Sequence, residues 1–309
     1  MWFLRSAFVC AVDLFFLISG YFMWQKKVVS LLKPVQLLFQ VIFFNLAFYL
    51  FGVIVGNYVF SIKTLFANMI PSNYFVILYC TVFILSPYTN KLLNQMHRSE
   101  MLRFVYIIFI LFSIWPTLVD ILSEFRGQEF LGLSTIGLYG SQYGYTIINF
   151  LMIYIIGAAL NYLDIDNIKN SMLLITLLLC VFLIMGWGVL DDKMGYAEMP
   201  TALSYCNPVV VLEAIIVFII FLKKKYYNSH INRLARGTIT VFLTHSHMLK
   251  YLRIEDYVNG PFLLIHIVLS VAGIYFIGIM IDWLYHLAVD PMFAILEKRI
   301  AFPKISVEQ

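Results

Sequence analysis

Long apolar runs separated by short polar connections make up most of the chain. A membrane-spanning helix needs roughly 20 mostly apolar residues, and two of the runs, 34–62 and 257–281, contain no Asp, Glu, Lys or Arg. The pattern predicts about nine spanning helices, at residues 6–24, 35–60, 70–88, 103–120, 146–162, 171–190, 201–222, 237–252 and 262–287.

The weakest of these segments contains the stretch GTITVFLTHSHML, which is short and holds His245 and His247. We expect a tilted or broken helix here that lines a cavity, because irregular backbone at membrane depth has to be covered by protein or water. The longest polar connections, 121–145 and 191–200, are too short for a soluble domain. The sequence therefore predicts a single transmembrane domain over residues 1–309.

Composition agrees with this pattern. The chain is 62% hydrophobic and 12% charged, with a mean hydropathy of +0.87, whereas a soluble domain is about 25% charged. We predict an all-α polytopic membrane bundle. The net charge of +4 gives no indication of nucleic acid binding, and we expect no nucleic acid partner. The cysteines, Cys10, Cys80, Cys180 and Cys206, show no CxxC or Cys/His spacing, so we predict no disulfide framework and no metal site.

Positive charge is distributed unevenly between alternate connections. One set holds most of the 21 Lys and Arg residues: Lys26, Lys27, Lys33, Lys91, Arg98, Arg103, Lys169, Lys223, Lys224, Lys225, Arg233, Arg236, Lys298, Arg299 and Lys304. The other set holds Arg5, Lys63, Arg126, Lys193, Lys250 and Arg253. Because cytoplasmic loops are enriched in Lys and Arg, we predict that the connection after Trp24 and the C-terminus are cytoplasmic.

This orientation has a consequence for the start of the chain. With nine spans it places Met1 on the outer side, which is uncommon for an uncleaved start. A tenth helix before Met1, entering from the cytoplasm, would make the number of spans even. We therefore expect that a helix is missing in front of Met1.

Polar and small residues interrupt the first apolar run. Asp13 costs about 2.5–3.5 kcal/mol at a helix centre on insertion scales, so it is expected to face the protein interior. Asp13, Phe16 and Gly20 share one helical face, at i, i+3 and i+7, which we predict lines a cleft. Gly20 admits another backbone or a ligand, and Ser19 donates a hydrogen bond either to a ligand or to its own helix.

The stretch VDLFFLISGYFM, residues 12–23, closely resembles the second-helix signature of the membrane acyltransferase-3 family, whose members O-acylate sugars. Later stretches that also resemble the family are NYFVILYCTVFILSPYTNKLL (73–93), YGYTIINFLMIYIIGAAL (143–160) and TITVFLTHSHMLKYLR (238–253). The resemblance covers about residues 5–290. One departure is that the family's first helix, with its Arg and a His ten residues later, has no counterpart here.

The resemblance implies an O-acyltransferase of the bacterial plasma membrane. The acyl donor would be acetyl-CoA, and the acceptor a sugar hydroxyl of a surface or capsular polysaccharide or of a lipid-linked sugar. The residues implied are His245 and Asp13 as catalytic groups, Ser19, Gly20, Tyr21 and Arg253 for substrate, and Lys26 and Lys27 for the coenzyme phosphates.

Alternatives remain open at this level. The chain could be an inactive, truncated remnant, or a transporter or polymerase of lipid-linked sugars, although no matching Pro- or Gly-broken helices occur in its two halves. Asp13 could instead form a structural ion pair. The Gly- and Tyr-rich connection 121–145 suits either a sugar or the interfacial aromatic belt. We interpret His247 and His266 as structural and Lys223–Lys225 as a topology anchor, and leave Glu213 and Asp282 unassigned beyond facing inward.

Overall fold

The structure, a computed structural model, describes residues 2–195, 201–224, 226–249, 251–257, 260–300 and 302–307. Lys225 and Lys250 of the charge pattern lie outside these ranges. The helices are α1 Trp2–Phe8, α2 Ala11–Met23, α3 Leu32–Ile54, α4 Ile62–Asn68, α5 Tyr74–Asn94, α6 Arg98–Phe109, α7 Trp115–Arg126, α8 Ile147–Ala159, α9 Asn170–Lys193, α10 Pro208–Lys223, α11 Ser229–Arg236, α12 Thr238–Leu249 and α13 Leu263–Arg299.

The all-α membrane fold predicted from the sequence is confirmed, and each of the nine predicted apolar segments is helical. Within the described residues, however, 7 helices are long and apolar enough to cross a membrane: Trp2–Met23, Leu32–Ile54, Tyr74–Asn94, Arg98–Arg126, Asn170–Lys193, Thr201–Lys223 and Leu263–Arg299. The segment Ile147–Tyr162 is a shorter apolar helix, and α12 has 12 residues. Among the described residues, seven helices therefore meet the length and composition of a full span, compared with about nine predicted segments.

Local sequence explains where several helices begin and bend. The Thr146 side chain accepts a hydrogen bond from the Asn149 backbone N–H and caps α8. The Asn207 side chain does the same for Val209 ahead of Pro208, which opens α10. Between α6 and α7 the helix widens into a π-helical turn over Ile110–Ile114. Pro116, the second residue of α7, follows this turn and has no N–H to donate to the helical hydrogen-bond ladder.

The chain divides into two compact units that interleave along the sequence. Unit 1 comprises residues 1–30, 74–225 and 304–309, and unit 2 comprises residues 31–73 and 226–303. Unit 1 therefore contains α1, α2 and α5 to α10, while unit 2 contains α3, α4 and α11 to α13.

The centre of unit 1 is the crossing of α2 and α8. A Cβ atom at Gly20 would lie 1.9 Å from the Tyr154 carbonyl oxygen, and one at Gly157 would lie 2.3 Å from the Leu17 carbonyl oxygen. Two glycines thus allow the helix backbones to touch, as small residues do in membrane helix pairs. The Phe16 ring, one helical turn before Gly20, stacks on Phe150 with ring centroids 4.2 Å apart.

Two short strands, β1 Val28–Ser30 and β2 Lys304–Ser306, complete unit 1. They pair antiparallel, with Val29 opposite Ile305. The ribbon joins the segment that follows α2 to the last part of the chain. The apolar pattern did not predict these strands, because three residues are too few to show an alternation.

Unit 2 packs α3 and α12 against the long helix α13. Its buried aromatic core includes Phe44 and Tyr285, whose ring centroids are 5.3 Å apart. A buried polar chain crosses the same helices. The Gln40 amide donates to Thr240 Oγ1 at 2.8 Å, and the Thr240 hydroxyl donates to Asp282 Oδ1 at 2.5 Å.

Candidate functional site

Two carboxyl groups lie inside unit 1 without hydrogen-bond partners. Asp13 on α2 and Glu213 on α10 are each 0% exposed, and none of their carboxyl oxygens has a hydrogen-bond partner among the described residues. The two groups are close enough to interact electrostatically. The Cys10 thiol lies beside Glu213 without the geometry of a regular hydrogen bond. Cys180 is also close enough to interact electrostatically with Glu213.

This carboxyl pair is costly for the fold. A carboxylate at the centre of a membrane helix is unfavourable on its own, and a second negative charge nearby adds repulsion. No Lys, Arg or His of the described chain pairs with Asp13 or Glu213. A proton or a donor group from a ligand has to compensate for the missing partners. Such intramembrane groups are functional candidates by default.

The face predicted from the spacing of Asp13, Phe16 and Gly20 does point into the protein, since all three residues are buried. It packs directly on α8 instead of lining a cleft, because Phe16 stacks on Phe150 and Gly20 meets the α8 backbone. The structure thus favours the backbone-contact interpretation of Gly20 over the ligand-contact one.

The other predicted residues of α2 have local partners. Ser19 Oγ donates to the Phe15 carbonyl oxygen at 2.8 Å and lies 3.3 Å from the Tyr79 hydroxyl. The half-buried Tyr21 ring contacts Phe218 edge-on, with ring centroids 5.2 Å apart. Both side chains therefore take part in helix packing, and their contact with substrate stays a prediction.

Three tyrosines of unit 1 contact one another. Tyr145 contacts Tyr74 at 4.4 Å and Tyr205 at 5.1 Å between ring centroids, and the hydroxyl groups of the three interact. Tyr74 also interacts electrostatically with Asp13. Tyr145 of the Tyr-rich connection thus points into unit 1. This tyrosine cluster was not predicted from the sequence, because Tyr74 and Tyr205 lie far from Tyr145 along the chain.

A basic pocket of about 590 Å³ lies where α2 ends and α5 ends. By the charge bias this is the side predicted to be cytoplasmic. Its walls combine three lysines, four amide side chains, one proline and one residue that follows β2. These are Gln25, Lys26, Lys27, Pro87, Asn90, Lys91, Asn94, Gln95 and Val307. The structure brings Lys26 and Lys27 together with Lys91. In the sequence analysis, Lys91 served only as one of the positive charges that indicate the orientation in the membrane.

Asn90 organises this pocket and was not singled out from the sequence. It is 1% exposed, and its amide donates to the carbonyl oxygens of Met23 and Lys26 at 2.7 and 2.9 Å. Its carbonyl oxygen accepts from the Tyr154 hydroxyl at 2.8 Å. One amide thereby holds the end of α2 to α5 and α8. The available signal was an amide inside an apolar helix, which has to find partners.

A second cleft of unit 1, of about 340 Å³, carries acidic and aromatic side chains including Asp120, Glu124, Tyr139 and Tyr143. The Ser141 backbone N–H donates to Asp120 Oδ1 at 2.8 Å. Gly140 has φ +65°, and a Cβ there would lie 2.5 Å from that same oxygen. Carboxylates beside tyrosine rings suit hydroxyl-rich ligands, and the aromatic belt remains the alternative.

The remaining predicted residues, His245 and Arg253, belong to unit 2. His245 is half-buried and its Nδ1 lies 2.6 Å from the Phe242 carbonyl oxygen of its own helix. Arg253 is exposed and has φ +45°, which marks the turn after α12. His247, interpreted as structural, lines a pocket with Asn45 and stacks on Phe48 at 4.5 Å.

Two residues left open by the sequence now have partners. Asp282 accepts from Thr240 and lies 3.5 Å from His286 Nε2, so it belongs to a structural polar chain. Lys223 donates to the carbonyl oxygens of Asp166 and Ile168, which fixes the connection between α8 and α9. That geometry agrees with an anchoring role for Lys223.

Comparison with known proteins identifies the family. A family model described as an acyltransferase domain, acyltransferase 3, matches residues 1–283. No curated protein and no solved structure gives a significant match. Because the family model covers most of the chain, and the fold is a bundle of membrane-spanning helices, the chain belongs to the acyltransferase-3 family of membrane acyltransferases.

Proposed function

We propose that the protein is an O-acetyltransferase that moves the acetyl group of acetyl-CoA to a sugar hydroxyl of a bacterial surface or capsular polysaccharide. The proposal is carried by the buried, unpartnered carboxyl of Asp13 in an acyltransferase-3 bundle. A carboxyl kept without a partner at membrane depth is expected where a reaction supplies the partner.

The basic pocket supports the choice of donor. Coenzyme A carries several phosphate groups, and Lys26, Lys27 and Lys91 bring positive charge to one concave site. Asn94 and Gln95 add hydrogen-bonding amides beside them. The predicted cytoplasmic position of this pocket agrees with a donor that is made in the cytoplasm.

The chemistry requires a base and a donor to the developing oxyanion. The sugar hydroxyl loses its proton as its oxygen attacks the thioester carbonyl, and the carbon–sulfur bond then breaks, so that coenzyme A leaves as the thiol. Asp13, acting directly or through Glu213, is the proposed group that receives the proton, and His245 stays the alternative base that the resemblance implies. The hydroxyl of Tyr74, which interacts electrostatically with Asp13, is suited to donate to an oxyanion.

The experiment compares O-acetylation of the surface glycan in cells that carry wild-type protein, Asp13→Asn or no copy of the gene. We expect the acetyl signals in the proton NMR spectrum of the glycan to disappear in both altered strains, with the polymer itself retained. Loss of the polymer would contradict the proposal and favour a transporter or polymerase.

A binding measurement tests the donor site separately. In nanodiscs, Lys26→Gln combined with Lys27→Gln should weaken acetyl-CoA binding by up to about thirtyfold, since each of the two exposed ion pairs contributes at most about 1 kcal/mol. Lys33→Gln combined with Lys224→Gln is the matched control, because both side chains are exposed and lie outside the basic pocket. Equal weakening in both pairs would contradict this placement of the donor.

A further inference from the structure

A short helix of unit 2, α11, takes part in none of the sites described above and was not among the predicted segments. It runs from Ser229 to Arg236 with the sequence SHINRLAR, and none of its residues is buried. The Asn228 side chain caps it by accepting hydrogen bonds from the backbone N–H groups of His230 and Ile231 at 2.8 and 3.2 Å. An exposed helix of this length is marginal in water, so we expect a further surface that stabilises it.

The side chains of α11 form two faces of opposite character. Ile231 and Leu234 lie three residues apart on one side, and Arg233 and Arg236 lie three residues apart on the other. We call these the apolar face and the basic face of α11. Ile231 and Leu234 are 54% and 45% exposed. The two faces fit surroundings that are apolar on one side and charged on the other.

The long helix α13 marks where the hydrocarbon core ends. Its residues from Leu263 to Ile281 include no Asp, Glu, Lys or Arg. They extend about 28 Å at 1.5 Å per residue, which is close to the thickness of the hydrocarbon core. Asp282 follows, and the next residue, Trp283, is 64% exposed. An exposed tryptophan at this point is typical of the membrane–water interface.

Two contacts hold the end of α11 at this boundary. The Tyr275 hydroxyl on α13 donates to the Leu234 carbonyl oxygen at 3.2 Å. A Cβ at Gly237, the residue that follows α11, would lie 2.5 Å from Ile279 Cδ1 and 3.2 Å from Asp282 Oδ2. The C-terminal end of α11 therefore packs against the last turns of the uncharged part of α13, at the level of the interface.

Charge indicates which surface α11 meets there. Arg233 and Arg236 belong to the connection that holds the most Lys and Arg residues of the chain and is predicted to be cytoplasmic. Anionic lipid head groups of that leaflet attract basic residues. Tyr226 and Tyr227, which precede α11, are 71% and 80% exposed and suit the same interface. A topology anchor requires only the charges, whereas the apolar face of α11 is typical of a helix that lies in the interface.

We propose that α11 lies in the membrane interface and binds anionic phospholipids, with its apolar face toward the acyl chains and its basic face toward the phosphates. A soluble anion would leave the apolar face in water, and a second copy of the chain would cover that face without lipid. The proposal goes beyond acetyl transfer and does not depend on it. Because Gly237 joins α11 directly to α12, the bound helix would also fix the start of the helix that carries His245.

The position of the apolar face is tested with an environment-sensitive fluorophore on the full chain in phospholipid nanodiscs. It is attached to Ile231→Cys or, as the matched control, to Ser229→Cys, which lies about 200° around the helix from Ile231. The four native cysteines are buried, so the label reacts at the introduced one. We expect blue-shifted emission and quenching by lipids with brominated acyl chains at position 231 only.

Equal quenching at both positions, or at neither, would overturn the proposal. A blue shift at position 231 without quenching by brominated lipid would show that protein covers the apolar face, and would overturn it as well.

The choice of lipid is tested with phosphatidylglycerol that carries a photoreactive diazirine on its head group. We expect cross-links within residues 226–237, mapped by peptide mass spectrometry, that unlabelled phosphatidylglycerol removes. Phosphatidylcholine and soluble glycerol phosphate should not remove them. Competition by phosphatidylcholine would show bulk lipid, and competition by glycerol phosphate would show a site for a soluble anion; either result would overturn the proposal.

Substitution of the basic face gives the quantitative test. Arg233→Gln combined with Arg236→Gln should weaken competed cross-linking about thirtyfold, since each basic residue near an anionic surface contributes about 1 kcal/mol. Lys298→Gln combined with Arg299→Gln is the matched control, because both side chains are exposed at the end of α13, about 24 Å along the helix beyond Asp282. All four substituted side chains are exposed, and thermal unfolding checks that both variants are folded. Equal weakening in the two variants, or none in either, would overturn the proposal.

Discussion

The two units of the protein pack their helices and bury their carboxyl groups in different ways. In unit 1, α2 and α8 touch through Gly20 and Gly157, and Asp13 is buried without a partner. In unit 2, α12 and α13 meet through side chains, and Asp282 is held by Thr240 and His286. Both carboxyls look alike in sequence, as single acids in apolar runs. Their partners distinguish a structural carboxyl from a functional candidate.

The largest effect is expected at the helix crossings. Gly20→Ala would place a Cβ 1.9 Å from a carbonyl oxygen, so we expect a loss of unfolding free energy of about 3 kcal/mol or more. In unit 2, a Cβ at Gly278 would lie 2.7 Å from Val241 Cγ2 and 3.2 Å from its Cα. This contact is less close than the one at Gly20, so Gly278→Ala should cost less, about 1–2 kcal/mol. Thermal unfolding in detergent, followed by tryptophan fluorescence, measures both.

Gly186→Ala is the control for this pair, because its Cβ position is open and alanine has the higher helix propensity. It should leave stability unchanged or raise it slightly. If Gly20→Ala were as stable as Gly186→Ala, the close backbone contact in unit 1 would be wrong.

The next effect separates the two aspartates. Asp13→Leu removes an unpartnered carboxyl, so stability should stay the same or rise, while acetyl transfer falls by a factor of about 100 or more. Asp282→Leu leaves the Thr240 hydroxyl without its acceptor and should lower the unfolding free energy by about 1–3 kcal/mol. Transfer per folded molecule should then be unchanged.

The reverse pattern, a destabilised Asp13→Leu that still transfers acetyl groups, would show that the carboxyl of Asp13 serves packing. Unfolding curves and turnover measured on the same preparation decide between the two outcomes.

The positions of the helices could be predicted from the sequence, whereas the partners of the polar side chains within them mostly could not. Nine apolar segments are helical because length and composition decide helix formation in lipid. The inward face of α2 followed from the spacing of Asp13 and Gly20. The neighbourhood of Glu213, the hydrogen bonds of Asn90 and the pocket position of His247 depend on residues distant in sequence. No periodicity within one helix contains that information.

The smallest expected effect is at Ser19. Its hydroxyl donates to the Phe15 carbonyl within α2, and a serine bonded in this way contributes little to helix stability. Ser19→Ala should change the unfolding free energy by less than about 0.5 kcal/mol and leave acetyl transfer within about twofold. A large fall in the apparent affinity for acceptor, with normal stability, would instead support the predicted contact of Ser19 with substrate.

The ribbon of β1 and β2 links distant parts of the gene product at one place. Val307, directly after β2, forms part of the wall of the basic pocket, and β2 is paired with the segment that carries Lys26 and Lys27 toward α3. The mouth of the proposed donor site is thus completed by a segment that lies far from Lys26 and Lys27 along the chain. Its shape therefore depends on the pairing of β1 with β2 as well as on the packing of the helices around it.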